Sequence, residues 1–137
     1  MPDATSTVRV RYVETDQMGV VHHSAYLAWM EVARTEYLRN RGVPYRLLEE
    51  KGIRMPVLSV QADYKAPARY DDEVLLVARL ARANPVRFTF DYEMRRMSDG
   101  VLLCTGRTEH AATDHDGKPR RIPRHLLDLI GGDREML

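Results

Sequence analysis

From Thr7 to Val13 the chain alternates, with Val8, Val10 and Tyr12 on one face and Arg9 and Arg11 on the other. That period predicts a strand. The period then lengthens. Tyr26, Trp29, Met30, Ala33 and Tyr37 fall on one apolar helical face, and Glu31, Thr35, Glu36 and Arg39 lie opposite. Ser24 is placed as an N-cap, and Gly42 and Pro44 supply stop signals, so a helix is predicted from Ala25 to about Arg41. A short second helix is predicted over Pro44–Lys51, closed by Gly52.

Four further strand patterns follow. Leu58, Val60, Ala62 and Tyr64 alternate with polar or smaller residues; Val74, Leu76, Ala78 and Leu80 share a face; Val86, Phe88, Phe90, Tyr92 and Met94 alternate with Arg87 to Arg95; and Val101–Thr113 is the last long run. Asn84-Pro85 and Asp99-Gly100 read as hairpin turns between successive strands. Pro123–Ile130 predicts a terminal helix. The order of strand, long helix and four antiparallel strands is α+β, most simply one sheet covering one apolar helix.

Composition narrows the setting. A chain of 137 residues with no linker or repeat is expected to form one domain over residues 1–137. With 44% hydrophobic and 30% charged residues it has the makings of a folded core. A net charge of +1 gives no reason to expect nucleic acid as a partner. The one cysteine, Cys104, has no internal disulfide partner, Met1 to Thr7 lacks the apolar run of a signal peptide, and no apolar stretch reaches membrane-span length. A cytoplasmic protein is expected.

The loop between the first strand and the long helix concentrates the candidate chemistry. It sets Asp16, Gly19, His22 and His23 just before a helix N-terminus. Attack on a thioester carbonyl makes an oxyanion, and a backbone N–H aimed at such an oxygen is typically worth about 3 kcal/mol of barrier. Helix starts offer unpaired N–H groups, here those of His23 and Ser24, together with a partial positive charge. Asp16 is the carboxylate placed to activate water or attack directly, and Gly19 lets the loop turn towards the same carbonyl. A histidine side chain can order water or protonate a leaving thiolate. An Asp in this position also serves as an Asx-turn, and Gly19 as a plain turn residue. No H-E-x-x-H or H-x-H spacing supports a metal site built from Asp16, His22, His23, His110 or His115, so no metal or cofactor is expected.

The segment from Arg11 to Tyr26, continued by Trp29 to Glu36, resembles the 4-hydroxybenzoyl-CoA thioesterase family, and more narrowly the bacterial acyl-CoA thioesterases associated with the Tol-Pal system. Its core, D-x-x-G-V-V-x-H-x-x-Y, runs here from Asp16 to Tyr26. Tyr64, Tyr70 to Asp72, Arg87 to Met94 and Lys118 to Pro123 fall where that family has similar segments. The resemblance implies a hotdog fold, in which a curved antiparallel sheet of about five strands wraps a long central helix. It implies Asp16 as nucleophile or general base, the N–H of His23 as the group polarising the carbonyl, and the His23 side chain as a helper. His22 stands where relatives commonly carry an aromatic residue and is assigned to the acyl pocket with Tyr26, Met55, Pro56 and Val57. Arg87, Lys118, Arg120 and Arg121, with Arg124 nearby, are candidates for CoA phosphates. Glu31 is assigned a structural role, with Arg34 as partner. Pairing into a homodimer or homotetramer is implied as well.

The leading expectation is therefore an acyl-CoA thioesterase releasing acid and free CoA. An acyl-carrier-protein thioesterase and a non-catalytic acyl-CoA-binding module on the same fold are the alternatives. Asp16 argues against the second, and no G-x-S-x-G, G-x-x-x-x-G-K or G-x-G-x-x-G supports a serine hydrolase or a nucleotide enzyme.

Overall fold

The computed structural model describes residues 4–131. Five strands, β1 (Ala4–Arg9), β2 (Val57–Tyr64), β3 (Glu73–Asn84), β4 (Arg87–Arg96) and β5 (Leu102–Ala111), form one antiparallel sheet in the order β1-β3-β4-β5-β2. Three helices accompany it: α1 (Ala25–Asn40), α2 (Tyr45–Glu50) and α3 (Arg124–Gly131). The α+β architecture expected from the alternating patterns is present, with Asn84-Pro85 and Asp99-Gly100 at the two hairpin turns.

The apolar stripe of α1 is the core. Tyr26, Trp29, Met30, Ala33 and Tyr37 are all buried, against the inward faces of β3 and β4, where Val74, Leu76, Ala78, Leu80, Phe88, Phe90, Tyr92 and Met94 are buried too. α1 packs chiefly on β1, β3 and β4. It also lies on β5 at Gly106, where a Cβ would collide with the Met30 methyl. α1 ends where its backbone turns left-handed at Gly42 (φ +78°): Gly42 N–H bonds Arg39 C=O at 3.0 Å and Val43 N–H bonds Leu38 C=O at 3.0 Å, the paired pattern of a Schellman motif. α3 is tied to the core by the Tyr37 hydroxyl, which donates to Ile130 C=O at 2.9 Å.

Two departures from the sequence expectation bear on function. The first strand stops at Arg9 rather than Val13; Tyr12–Glu14 is a 3₁₀ turn, and Tyr12 and Val13 are 78% and 79% exposed instead of continuing the buried face of Val10. The turn forms because Glu14 captures the Arg11 N–H through Oε1 at 2.8 Å, a local bond that competes with the strand ladder. Secondly, β2 is an edge strand. Among the described residues it pairs only with β5, and α1 packs chiefly on other strands, so Leu58 and Val60 remain 48% and 45% exposed despite their alternation.

Candidate functional site

The loop after the 3₁₀ turn is a miniature hairpin. Thr15 bridges Val21, the Asp16 N–H bonds Val20 C=O at 2.8 Å, and the His22 N–H bonds Glu14 C=O at 2.7 Å. Its tip is a turn closed by Gly19 N–H to Asp16 C=O at 3.0 Å, with Gly19 at φ +79°, where a side chain is strained. The hairpin is pinned on one side by Val21 N–H to Ala68 C=O at 2.8 Å. On the other, Glu14 Oε2 accepts the Trp29 indole N–H at 3.1 Å. Glu14 thus joins the loop to the second turn of α1, a role the sequence did not disclose because it depends on tertiary packing.

Asp16 is half-buried and divides its labour between two oxygens. Oδ1 accepts the N–H groups of Met18 at 2.8 Å and Val20 at 3.3 Å, so the Asx-turn is real. Oδ2 has no hydrogen-bond partner among the described residues. One oxygen fixes the carboxylate while the other stays available to a water or a carbonyl carbon.

The start of α1 makes a similar selection among its N–H groups. That of His22 is used by Glu14, that of Ala25 bonds His22 C=O at 3.0 Å, and that of Ser24 points to His22 Nδ1 at 3.2 Å. Among the described residues the His23 N–H has no partner. Of the two donors proposed from sequence, His23 is therefore free and Ser24 is engaged. Ser24 stands at the N-cap position but makes no side-chain capping bond; its Oγ instead lies 2.8 Å from His22 Nδ1. Accepting from Ser24 places the neutral ring's proton on His22 Nε2. The His22 and His23 rings lie 4.1 Å apart, tilted by 32°, and both residues are exposed.

Beside the loop is a cleft of about 320 Å³ lined by Val20, Val21, His23, Tyr26, Tyr64 and Lys65, with Ala66 and Pro67 at its edge. The Tyr64 hydroxyl donates to His23 C=O at 3.1 Å, and its ring meets Tyr26 edge-on at 5.1 Å. Burial pushes the Tyr26 phenol up to about 12, and burial raises Tyr64 as well, so both remain neutral donors at neutral pH. Tyr64 and Lys65 were not singled out as site residues from sequence; the signal available was the position of Tyr64 at the end of an alternating strand.

Other sequence-predicted site residues lie elsewhere. Met55, Pro56 and Val57 sit at the opposite end of β2 from Tyr64, where Val57 pairs with His110. Arg87 pairs with Ala111 at that same end. The Lys118–Arg121 segment joins it there, through Arg120 N–H to Ala112 C=O at 2.9 Å. The eight residues of β2 span roughly 23 Å at about 3.3 Å per residue. Within the chain, Asp16, His22 and His23 lie on one hairpin and helix start with Tyr26 lining the adjacent cleft, while Met55, Pro56, Val57 and the basic cluster are held at the far end of the sheet. Glu31 forms no ion pair with Arg34 among the described residues.

Residues 10–130 match the thioesterase-like superfamily. The chain belongs to that superfamily. Thioesterase-like relatives include the acyl-CoA thioesterase YbgC of Haemophilus influenzae, 34% identical over 121 residues, covering 87% of this chain and 88% of that one. Among solved structures, a Thermus thermophilus protein superposes with a TM-score of 0.89 at 35% identity, covering 97% of this chain and 98% of that one. A DHNA-CoA thioesterase from Staphylococcus aureus gives 0.87 at 33% identity, covering 93% of this chain and 86% of that one. These likenesses establish the hotdog fold and make the protein a thioester hydrolase.

Proposed function

We propose that this thioesterase hydrolyses acyl-CoA to a carboxylic acid and free CoA, with Asp16 as general base or nucleophile and the His23 N–H as oxyanion donor. The observation that carries this reading is the coincidence, on one pinned hairpin and the head of α1, of an Asp16 Oδ2 and a His23 N–H that have no hydrogen-bond partner among the described residues. The thioester carbonyl would accept from His23 N–H, strengthening as negative charge develops on its oxygen. Asp16 Oδ2 would take a proton from the attacking water, or attack the carbonyl carbon itself. The His23 ring, exposed at the cleft, is the candidate proton donor to the departing thiolate. These roles draw on the chain's own groups and water, without metal or redox cofactor. The YbgC relatives and the Asp16–Tyr26 motif support the narrower kinship with Tol-Pal-associated acyl-CoA thioesterases, and the motif also supports kinship with 4-hydroxybenzoyl-CoA enzymes.

The working unit on this reading is a homodimer, itself able to pair into a homotetramer. β2 presents an open ladder and exposed Leu58 and Val60, a combination proteins usually cover. Antiparallel pairing of two β2 edges, about an axis between Val60 and Gln61, sets the Tyr64 end of one protomer against the Val57 end of the other. That operation brings Met55 to Val57 and the cations Arg87, Lys118, Arg120 and Arg121 across from a hairpin they cannot reach within one chain. The buried, unpaired Cys104 fits a cytoplasmic setting. The test is free-thiol release from short, long, branched and aromatic acyl-CoA substrates; hydrolysis of at least one is expected, and hydrolysis of none overturns the reading.

A further inference from the structure

A second cavity, of about 240 Å³, lies between α1 and the sheet, lined by Glu31, Arg34, Thr35 and Leu38 of α1, with Tyr45, Met55, Phe90 and His110 facing them. It is smaller than the roughly 300–1,000 Å³ of a typical whole-ligand pocket, so it suits the end of a ligand. From His110 in its lining runs a chain of buried polar groups. His110 Nδ1 lies 3.3 Å from Met55 C=O and Nε2 lies 2.8 Å from Thr108 Oγ1, which in turn is 2.6 Å from the Tyr92 hydroxyl. Arg34 of α1 lies near that hydroxyl and lines the same cavity.

The proton order in this chain is fixed. Arg34 is a donor only and Met55 C=O an acceptor only. His110 therefore donates from Nδ1 to Met55, Thr108 donates to His110 Nε2, and Tyr92 donates to Thr108, which leaves the Tyr92 oxygen as an acceptor towards nearby Arg34. Burial, with the Arg34 charge nearby, lowers the His110 imidazole to about 4, so it keeps this neutral tautomer at neutral pH. The relay ends beside Arg34 at the cavity wall. Arg34 shares the cavity lining with the apolar Leu38, Met55 and Phe90.

We propose that this cavity is a specificity site for acyl groups ending in an oxygen acceptor, a hydroxyl or a carboxylate, with Arg34 as the recognising residue and the Tyr92, Thr108 and His110 chain as its positioning support. The inference rests on the acyl-CoA thioesterase reading and on the β2-paired dimer. Met55 and His110 of its lining lie at the Val57 end of β2, so the proposed pairing sets the cavity across from the partner protomer's Asp16 hairpin, in line to receive the far end of an acyl group whose thioester is held there. An alkyl end leaves the Arg34 donors desolvated and unanswered, whereas an oxygen answers them.

The test measures kcat/KM for hexanoyl-CoA and benzoyl-CoA against the same acyl groups carrying a terminal hydroxyl or carboxylate. Wild type is expected to prefer an oxygen-terminated member of at least one set by about tenfold or more, the scale of one charge-assisted hydrogen bond. Arg34→Leu is expected to collapse that ratio towards one. Tyr92→Phe, which removes a single oxygen, is expected to reduce it in the same direction. Comparing hydroxyl with carboxylate identifies which acceptor the site takes. Turnover without preference in either set, or a preference unchanged in both variants, overturns this inference alone. Hydrolysis of none of the substrates overturns the thioesterase reading and this inference together.

Discussion

Trp29 on α1 donates its indole N–H to the Glu14 carboxylate at 3.1 Å, and Glu14 C=O accepts the His22 N–H at 2.7 Å. One residue therefore fastens both sides of the hairpin, while its other carboxylate oxygen holds Arg11. Removing the indole donor with Trp29→Phe keeps most of the buried ring surface and leaves Glu14 without that partner. The expected loss of stability is about 1.5–3 kcal/mol, on the scale of a hydrogen bond to a charged group. Because the hairpin carries the proposed chemistry, kcat should fall by more than thermal unfolding predicts. An unaltered kcat in the folded variant would show that the fastening has no catalytic consequence.

Gly19 offers a milder perturbation of the same loop. Its φ is +79° and a Cβ there meets nothing within 4 Å, so Gly19→Ala adds backbone strain without a clash. The left-handed conformation costs a non-glycine residue about 1–2 kcal/mol. The expected outcome is a locally loosened hairpin, seen as faster hydrogen exchange at Val20 and His22 N–H with little change in the sheet.

His110 makes a pH-dependent contribution to stability. An unfolded imidazole takes up a proton near 6.5, whereas the folded one, lowered chiefly by burial and then by Arg34, does so only near 4. Unfolding therefore binds a proton between those values. Stability from this source is full above about 6.5 and declines as pH falls towards 4, by up to about 3 kcal/mol. Denaturant titrations between pH 6.5 and 4.5 should show a shallower decline for His110→Leu than for wild type. Parallel curves would refute the assignment.

Val60 tests the proposed pairing. It lies beside the centre of β2, and in a symmetric pair of β2 edges two copies come close. Val60→Glu would set like charges together there, a repulsion opposed only by strand pairing. Light scattering should report a dimer or tetramer for wild type and monomers for the variant, with turnover lost alongside. A monomeric wild type with full activity would remove the need for a composite site.

Local patterns read well from the sequence where one face of one element decides the outcome. The α1 stripe from Tyr26 to Tyr37 and the alternation of β3 and β4 are buried as their periods demand. The placement of Asp16, Gly19 and His23 on one loop was legible because a contiguous hairpin and helix start carry them. The end of β1 was not legible, since Arg9 to Val13 alternates yet the Glu14 side chain turns the chain at Arg11. The exposure of β2 was hidden for another reason: alternation gives the two faces of a strand but not whether a helix covers either. The placement of Met55 to Val57 at the far end of β2 follows from its antiparallel pairing with β5, which periodicity does not specify.

The central claim is that Asp16 Oδ2 does chemistry while Oδ1 holds the loop. Asp16→Asn keeps a carbonyl oxygen able to accept from Met18 and Val20 while abolishing the charge, so the fold should persist. Free-thiol release from the best acyl-CoA substrate, followed side by side for wild type and Asp16→Asn, measures the claim directly. The account predicts a fall in kcat of about 10²-fold or more, the usual scale for losing a general base. Equal rates for the two proteins would contradict it.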